Sequence, residues 1–204
     1  MHETKAPVGE PAGLGLLGLA IVTLVACSDK LGWTEGVSLV LPWALFLGAT
    51  AQLIAAGYDF KRHNVFGGTA FAGYALFWYA VGMSWMVKAG VFGASLSQVD
   101  GRQLGFAFLG YLIFTLYMTV GALTTNKVLF FIFLSIDFLF LGLTLSSFGV
   151  SPALSLKLAG ASELVISLLS FYGSAATILN IQFGRTVLPT GKAFHASAAL
   201  EAAH

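Results

Sequence analysis

The chain has 204 residues, of which 57% are hydrophobic and only 9% are charged, with 10 Lys and Arg against 9 Asp and Glu. This apolar share exceeds that of an ordinary soluble domain, and the balanced charge excludes the clustered basic face of a nucleic-acid-binding protein. A single cysteine, Cys27, excludes an intrachain disulfide and a metal site built from cysteines.

Six apolar stretches follow one another along the chain, separated by short polar gaps. They cover residues 12–28, 38–58, 69–88, 104–124, 128–148 and 157–179. Each is close to the roughly 20 residues that a helix needs to cross the ~30 Å hydrocarbon layer of a bilayer. The sequence therefore predicts an all-α membrane protein, one domain of six transmembrane helices over 1–204, in which residues 192–204 form a short tail.

The basic residues between the stretches predict how the helices are oriented. An even number of spans places both termini on one side of the membrane. That side carries Lys5, Lys61, Arg62, Lys127, Arg185 and Lys192, whereas the other carries Lys30, Lys88, Arg102 and Lys157. Because Lys and Arg are enriched in cytoplasmic loops, we predict cytoplasmic termini.

A polar stripe runs along the sixth stretch. At the 3.6-residue period of a helix, five positions fall on one face: Glu163, Ser167, Ser170, Ser174 and Thr177. A carboxylate and four hydroxyls are costly against lipid, so this face points to other helices or to water. We interpret it as one wall of a polar path through the membrane; interhelical packing through Ser and Thr is the alternative.

Polar residues on other stretches extend the same interpretation. Gln52 on the second stretch and Tyr111, Thr115 and Thr119 on the fourth are further candidate walls. Asp137, in the middle of the fifth, costs roughly 3 kcal/mol if it stays charged and unpaired at the bilayer centre. Asp137 and Glu163 act either as proton relays or as hydrogen-bond partners of a neighbouring helix, and the sequence leaves both open.

Catalytic motifs are absent from the sequence. There is no HExxH zinc motif, and Gly191-Lys192 lacks the upstream glycine spacing of a phosphate-binding loop. We therefore expect neither an enzyme nor an ATP-driven pump, with no catalytic residues, no metal site and no cofactor.

Several motifs resemble the acetate uptake transporter family, which includes the bacterial succinate-acetate permeases. They are Glu10-Pro11-Ala12-Gly13-Leu14-Gly15-Leu16, Ala51-Gln52, Asn64-Val65-Phe66-Gly67, Thr69-Ala70-Phe71 with Tyr74, and Gln182-Phe183-Gly184-Arg185-Thr186-Val187-Leu188-Pro189. The resemblance runs from about residue 10 to 191, although Glu10 and Gly13 depart from the family's usual Asn and Pro. It implies six-helix protomers that form a ring-shaped homohexamer among the lipids of a bacterial or archaeal plasma membrane.

The resemblance also implies a function and a site. Each protomer carries its own path for acetate or succinate, which narrows at Leu19, Tyr74 and Ile136. Ser170 stands where relatives often have Ala. Along this path we expect polar groups of Gln52, Asn64, Thr69, Glu163, Ser167, Ser170 and Ser174 to replace water around the carboxylate, and Asn64 and Thr69 have helix capping as their alternative role.

The mechanism and two competing functions stay open at this point. Passage is either channel-like or coupled to a proton through Asp137 or Glu163. A six-helix urea or short-amide channel shares the size and aromatic content of this chain but carries a neutral solute. A membrane scaffold without transport is the other alternative, and it would bury the polar stripe in helix contacts.

Overall fold

The computed structural model describes residues 8–195, and every regular element in that part of the chain is helical. Six of its helices are long and apolar enough to cross a membrane: α1 (Ala12–Lys30), α2 (Val40–Lys61), α3 (Val65–Lys88), α4 (Arg102–Ala122), α5 (Lys127–Ser147) and α6 (Pro152–Phe183). A single helical turn, Ala94–Ser97, lies between α3 and α4. The predicted six-helix all-α membrane fold is confirmed. The end of the predicted tail, residues 196–204, lies outside the described residues.

The helix ends differ most from the predicted spans in α6 and α3. Helix α6 begins at Pro152 rather than 157 and ends at Phe183 rather than 179, where Gly184 adopts φ +61° and closes the helix. Helix α3 begins at Val65 rather than 69, because the Asn64 side chain caps it. Hydropathy detects only the part of a helix inside the hydrocarbon layer, whereas proline, glycine and capping residues define its ends.

The helices form one closed bundle. Helix α1 packs most extensively against α6, which packs on α5, and α5 packs on α4; on the other side, α2 contacts both α1 and α3. Aromatic and hydroxyl side chains of α3 and α4 close the ring: Phe77 lies 5.0 Å from Tyr111 between ring centroids, and the Tyr74 and Thr115 hydroxyls are 3.0 Å apart. The bundle thereby encloses the polar residues of each helix.

A π-helical stretch, Ala44–Ala51, interrupts α2. The Gln52 Nε2 donates to the Gly48 carbonyl at 2.7 Å and the Thr50 hydroxyl donates to the Leu45 carbonyl at 2.8 Å, so side chains satisfy part of the altered backbone. A Cβ on Gly18 of α1 would lie 2.5 Å from the Leu47 carbonyl oxygen. Glycine at position 18 is therefore what lets α1 and α2 approach so closely. Such π stretches occur frequently at functional sites.

Large apolar side chains cover the outside of the bundle. Exposed examples on successive helices are Leu53, Leu76, Ile113, Phe138 and Leu168. Polar residues such as Gln52, Thr115 and Ser167 are buried inside instead. This arrangement, with apolar groups outward and hydrogen-bonding groups inward, fits a lipid surrounding, in which an exposed polar group has no partner.

Candidate functional site

A cavity of about 590 Å³ opens at the end of the bundle where α1, α3 and α5 begin. Its inner part is mainly apolar and its mouth is polar. The apolar lining includes Leu16, Leu19, Phe71, Tyr74, Ile132, Phe133 and Ile136, and the polar lining includes Gln52, Asp59, Asn64, Thr124, Thr125, Asn126, Thr177 and Thr190. We call this the first cavity.

The three residues predicted to form the constriction, Leu19, Tyr74 and Ile136, all line the first cavity. They come from α1, α3 and α5, and each is less than 10% exposed. Gln52 lies with them and is fully buried; its Oε1 has no hydrogen-bond partner among the described residues. The structure thus brings the three predicted constriction residues together beside the unpartnered amide oxygen of Gln52. The role of these three residues as a gate stays a prediction.

The mouth of the first cavity is organised by Asn64. Its Oδ1 accepts from the Gly67 backbone N–H at 3.0 Å, which confirms the capping interpretation, and its Nδ2 donates to Asp59 Oδ1 at 3.0 Å. Asp59 is 1% exposed, and its Oδ2 has no partner within residues 8–195. Thr69 lies on the second turn of α3, so it does not cap the helix. Its side chain is half-buried and lies outside the lining of the first cavity.

The C-terminal motif closes the side of the same mouth. The Asn180 Oδ1 accepts from the backbone N–H groups of Val187 and Leu188, and its Nδ2 donates to the Leu188 carbonyl. The Tyr172 hydroxyl donates to the Pro189 carbonyl at 2.8 Å, and Val128 N–H donates to the Thr190 carbonyl. These bonds fold the segment back under the bundle, where Thr190 reaches the cavity wall.

The polar stripe of α6 faces α1 rather than a continuous open path. The Ser167 hydroxyl donates to the Ala20 carbonyl at 2.8 Å, and the Ser174 hydroxyl donates to the Gly13 carbonyl at 2.7 Å. Ser170 is fully buried, and its hydroxyl has no partner among the described residues. Only Thr177 of the four hydroxyl residues lines the first cavity. In this conformation Ser167 and Ser174 connect helices, as in the packing alternative.

The two acidic residues considered as proton relays both have partners. Asp137 accepts from the Thr119 hydroxyl at 2.8 Å through Oδ2, while its Oδ1 has no partner in the described part of the chain. Glu163 accepts from Lys30 Nζ at 3.0 Å through each of its carboxylate oxygens. Both therefore make the interhelical contact that the sequence left open, and neither contact excludes proton transfer.

A second cavity, of about 310 Å³, opens at the opposite end of the bundle. Its wall carries four charged residues, Asp29, Lys30, Lys88 and Glu163, so the charges of this cavity balance. The rest of the lining is largely apolar and aromatic, including Phe77, Trp78, Trp85, Phe108 and Leu143.

A thin apolar layer separates the two cavities. On α3, Tyr74 lines the first cavity and Phe77 the second, three residues or about 4.5 Å apart along a helix. Phe140 of α5 is 1% exposed and lies between them, with its ring centroid 5.0 Å from Phe77, 5.3 Å from Tyr111 and 6.5 Å from Tyr74. This ring cluster lies between the linings of the two cavities and separates them.

Sequence patterns missed three residues of the site. Asp59 lies seven residues after Gln52, which is two helical turns and therefore the same helix face. Following that face along the second stretch would have identified it. Lys30 lies outside the predicted span 12–28, whereas in the structure it ends α1 and pairs with Glu163. Phe140 is one of 18 phenylalanines, and no sequence signal distinguishes it from those that face lipid.

Comparison with known proteins gives consistent matches. The chain matches the GPR1/FUN34/yaaH family over residues 1–192. It is 34% identical to the succinate-acetate/proton symporter SatP of Escherichia coli (strain K12), over 94% of this chain and 99% of that one. It is 28% identical to the ammonia transport outward protein 2 of Saccharomyces cerevisiae, over 87% of this chain and 65% of the yeast protein. The fold is similar to the solved structure of the bacterial acetate channel SatP, with a TM-score of 0.83 and 30% identity over 91% of this chain and 100% of that one.

Proposed function

Because this chain belongs to the GPR1/FUN34/yaaH family, we propose that it transports acetate, together with succinate or other small carboxylates, across a bacterial or archaeal plasma membrane. The resemblance drawn from its sequence motifs is thereby confirmed. The proposed path runs within one protomer, from the first cavity through the apolar layer to the second cavity. Its named relatives are transporters or channels, which agrees with the absence of catalytic motifs from the sequence.

The observation that carries this proposal is the pair of cavities, which open at opposite ends of the bundle and meet at one thin layer. Cavities of about 590 and 310 Å³ on either side of a single ring cluster are expected in a transport path, whereas a scaffold would fill this space with packed side chains. Both are large compared with a two-carbon acid, and about 300–1,000 Å³ is the usual size of a small-molecule pocket. Crossing this apolar layer is therefore the step that controls the passage of the solute.

The layer favours a solute that is apolar at one end and loses its charge in transit. The idealised cost of moving a carboxylate from water into an apolar medium is of order 20 kcal/mol, so the anion does not cross a dry ring cluster. It crosses either as the protonated acid or when the rings part and admit water. Leu19, Tyr74 and Ile136 contact the methyl group in this scheme, and the Gln52 Oε1 is a free acceptor for an acid proton.

A more specific version of this proposal is that the protein transports each carboxylate together with a proton. Asp137 directly follows Ile136 and has an unpartnered oxygen, and Glu163 lies at the second cavity. We propose that Glu163 exchanges a proton with a carboxylate in the second cavity, and that Asp137, which lines neither cavity, does so beside Ile136 of the constriction. One relative is named a proton symporter and one solved relative a channel, so both mechanisms are compatible with the family.

The test is uptake of radiolabelled acetate by vesicles that contain the purified full-length protein, with protein-free vesicles as the control. Saturable uptake that succinate and propionate inhibit and urea does not is the expected result. Inhibition by urea alone would identify a neutral-solute channel, and uptake equal to that of empty vesicles would identify a scaffold. Faster accumulation than in protein-free vesicles under an imposed inward proton gradient would show that a proton crosses with each acetate. Equilibration with no accumulation beyond that of the protein-free vesicles would show passage of the anion through a channel.

The assembly and orientation belong to the same proposal. We propose a ring-shaped homohexamer with cytoplasmic termini, so that the first cavity opens to the cytoplasm. Membership of the family supports the hexamer, because the sequence motifs resemble a family whose protomers form such rings. The excess of Lys and Arg on the terminal side supports the orientation. Mass measurement of the protein in lipid nanodiscs tests the hexamer, and accessibility of a cysteine introduced beside Thr190 tests the orientation.

A further inference from the structure

The buried ion pair between Lys30 and Glu163 joins the end of α1 to α6 on the wall of the second cavity. The Lys30 Nζ lies 3.0 Å from each carboxylate oxygen of Glu163 and 3.4 Å from the Ala26 carbonyl oxygen, so all three of its N–H donors are used. Among the ion pairs of residues 8–195, this one is the most buried. The Glu10–Arg62 and Asp100–Arg102 pairs are more exposed.

A structural role explains this pair poorly. Helices α1 and α6 are already joined by the hydrogen bonds of Ser167 and Ser174 and by close packing, because a Cβ on Gly160 would lie 2.9 Å from the Cβ of Lys30. Removing two charges from water costs free energy that their mutual attraction often does no more than repay, and apolar residues of similar volume stabilise as well or better. A buried pair on a cavity wall therefore suggests a use for its charges.

The two partners differ in their access to the cavity. The Lys30 side chain is 14% exposed and the Glu163 side chain only 3%. Both side chains line the second cavity, and Lys30 is the more accessible of the two to an anion there. Glu163 is also one helical turn from Ser167, whose hydroxyl donates to the carbonyl of Ala20, the residue that follows Leu19 of the predicted constriction. Lys30 therefore lies on the second-cavity side of that constriction.

We propose that Lys30 is a binding site for the permeating carboxylate, and that Glu163 is its resident competitor, which the substrate displaces. This inference rests on the proposed function and deepens it. A small carboxylate has the same two oxygens as the glutamate end group, so it replaces the Glu163 contacts with Lys30 in kind. A solute that arrives as the protonated acid gives its proton to Glu163 in this exchange, so no unpaired charge is left buried. Asp29 and Lys88 also line this cavity, but Lys30 is the cation whose ammonium already holds a carboxylate there.

Three variants test the exchange: Glu163→Gln, Lys30→Met, and the double variant Lys30→Met/Glu163→Gln, which avoids an unpaired buried charge. Lys157→Met removes an exposed lysine of α6 that does not line the second cavity, and is the matched control. We expect Glu163→Gln to lower the KM for acetate uptake below the wild-type value. The double variant should have a KM at least about tenfold above that of Glu163→Gln, which is the effect of one charge-assisted hydrogen bond. The control should match wild type.

A second measurement separates this inference from the proposed function. The melting temperature of the detergent-purified protein is recorded with sodium acetate and with sodium chloride at equal ionic strength. Acetate should raise it most in Glu163→Gln and no more than chloride in the double variant, whether or not any variant transports acetate. Equal KM values for wild type, Glu163→Gln and the double variant, or equal acetate shifts in all three, would assign the pair to helix packing and overturn the proposal.

Discussion

Replacing Phe140 with alanine tests whether the ring cluster is the barrier to acetate. Phe140 is 1% exposed and makes three aromatic contacts, with Tyr74, Phe77 and Tyr111. Loss of a buried phenylalanine ring costs about 3–5 kcal/mol through lost contacts and the cavity left behind, so Phe140→Ala should destabilise the protein by about that amount. The void left by the ring admits water beside the carboxylate. Relief of only about 1.4 kcal/mol of its desolvation cost would raise the flux tenfold.

Acetate flux into vesicles and the melting temperature of the purified protein are the two readouts. Phe138→Ala is the matched control, because Phe138 lies on the same helix but is 47% exposed on the outside of the bundle. We expect a tenfold or greater rise in flux for Phe140→Ala and an unchanged flux for Phe138→Ala. A folded Phe140→Ala protein with wild-type flux and a lowered melting temperature would refute the assignment of the barrier to this layer.

Three further changes probe other parts of the path. Leu19→Trp fills the inner end of the first cavity and should lower acetate flux at least about tenfold, whereas unchanged flux would remove Leu19 from the constriction. Asp137→Asn keeps an acceptor for the Thr119 hydroxyl but loses the titratable proton. If Asp137 is the relay, a pH dye inside the vesicles should report that acetate entry no longer carries protons. Undiminished acidification would assign Asp137 to helix packing. Gly142→Ala places a Cβ 2.6 Å from a backbone oxygen of α6 and should lower the melting temperature by several degrees, whereas Gly110→Ala, with open space around it, should not; equal melting temperatures would show that α5 and α6 do not need this close approach.

Helical periodicity located most polar residues of the bundle but not their partners. It placed Ser167 and Ser174 on one face of α6 and favoured a wall of the path there, but it could not separate that role from interhelical packing. The hydrogen bonds to the Ala20 and Gly13 carbonyls became visible only once α1 lay against α6. Periodicity describes which residues share a face, whereas the identity of the facing helix depends on contacts between distant parts of the chain.

The amino-acid sequence by itself determined that the protein lies in a membrane and that it has six helices. Runs of about 20 apolar residues have few stable arrangements other than helices across a bilayer. Its motifs also indicated the family. Tertiary structure alone decided where the path is closed. Phe140 meets the rings of α3 and α4, Lys30 meets a carboxylate 133 residues away, and Asp59 turns into the first cavity only after six helices have packed. Hydropathy is a local property of the chain, but a cavity and its barrier are properties of the surfaces between helices.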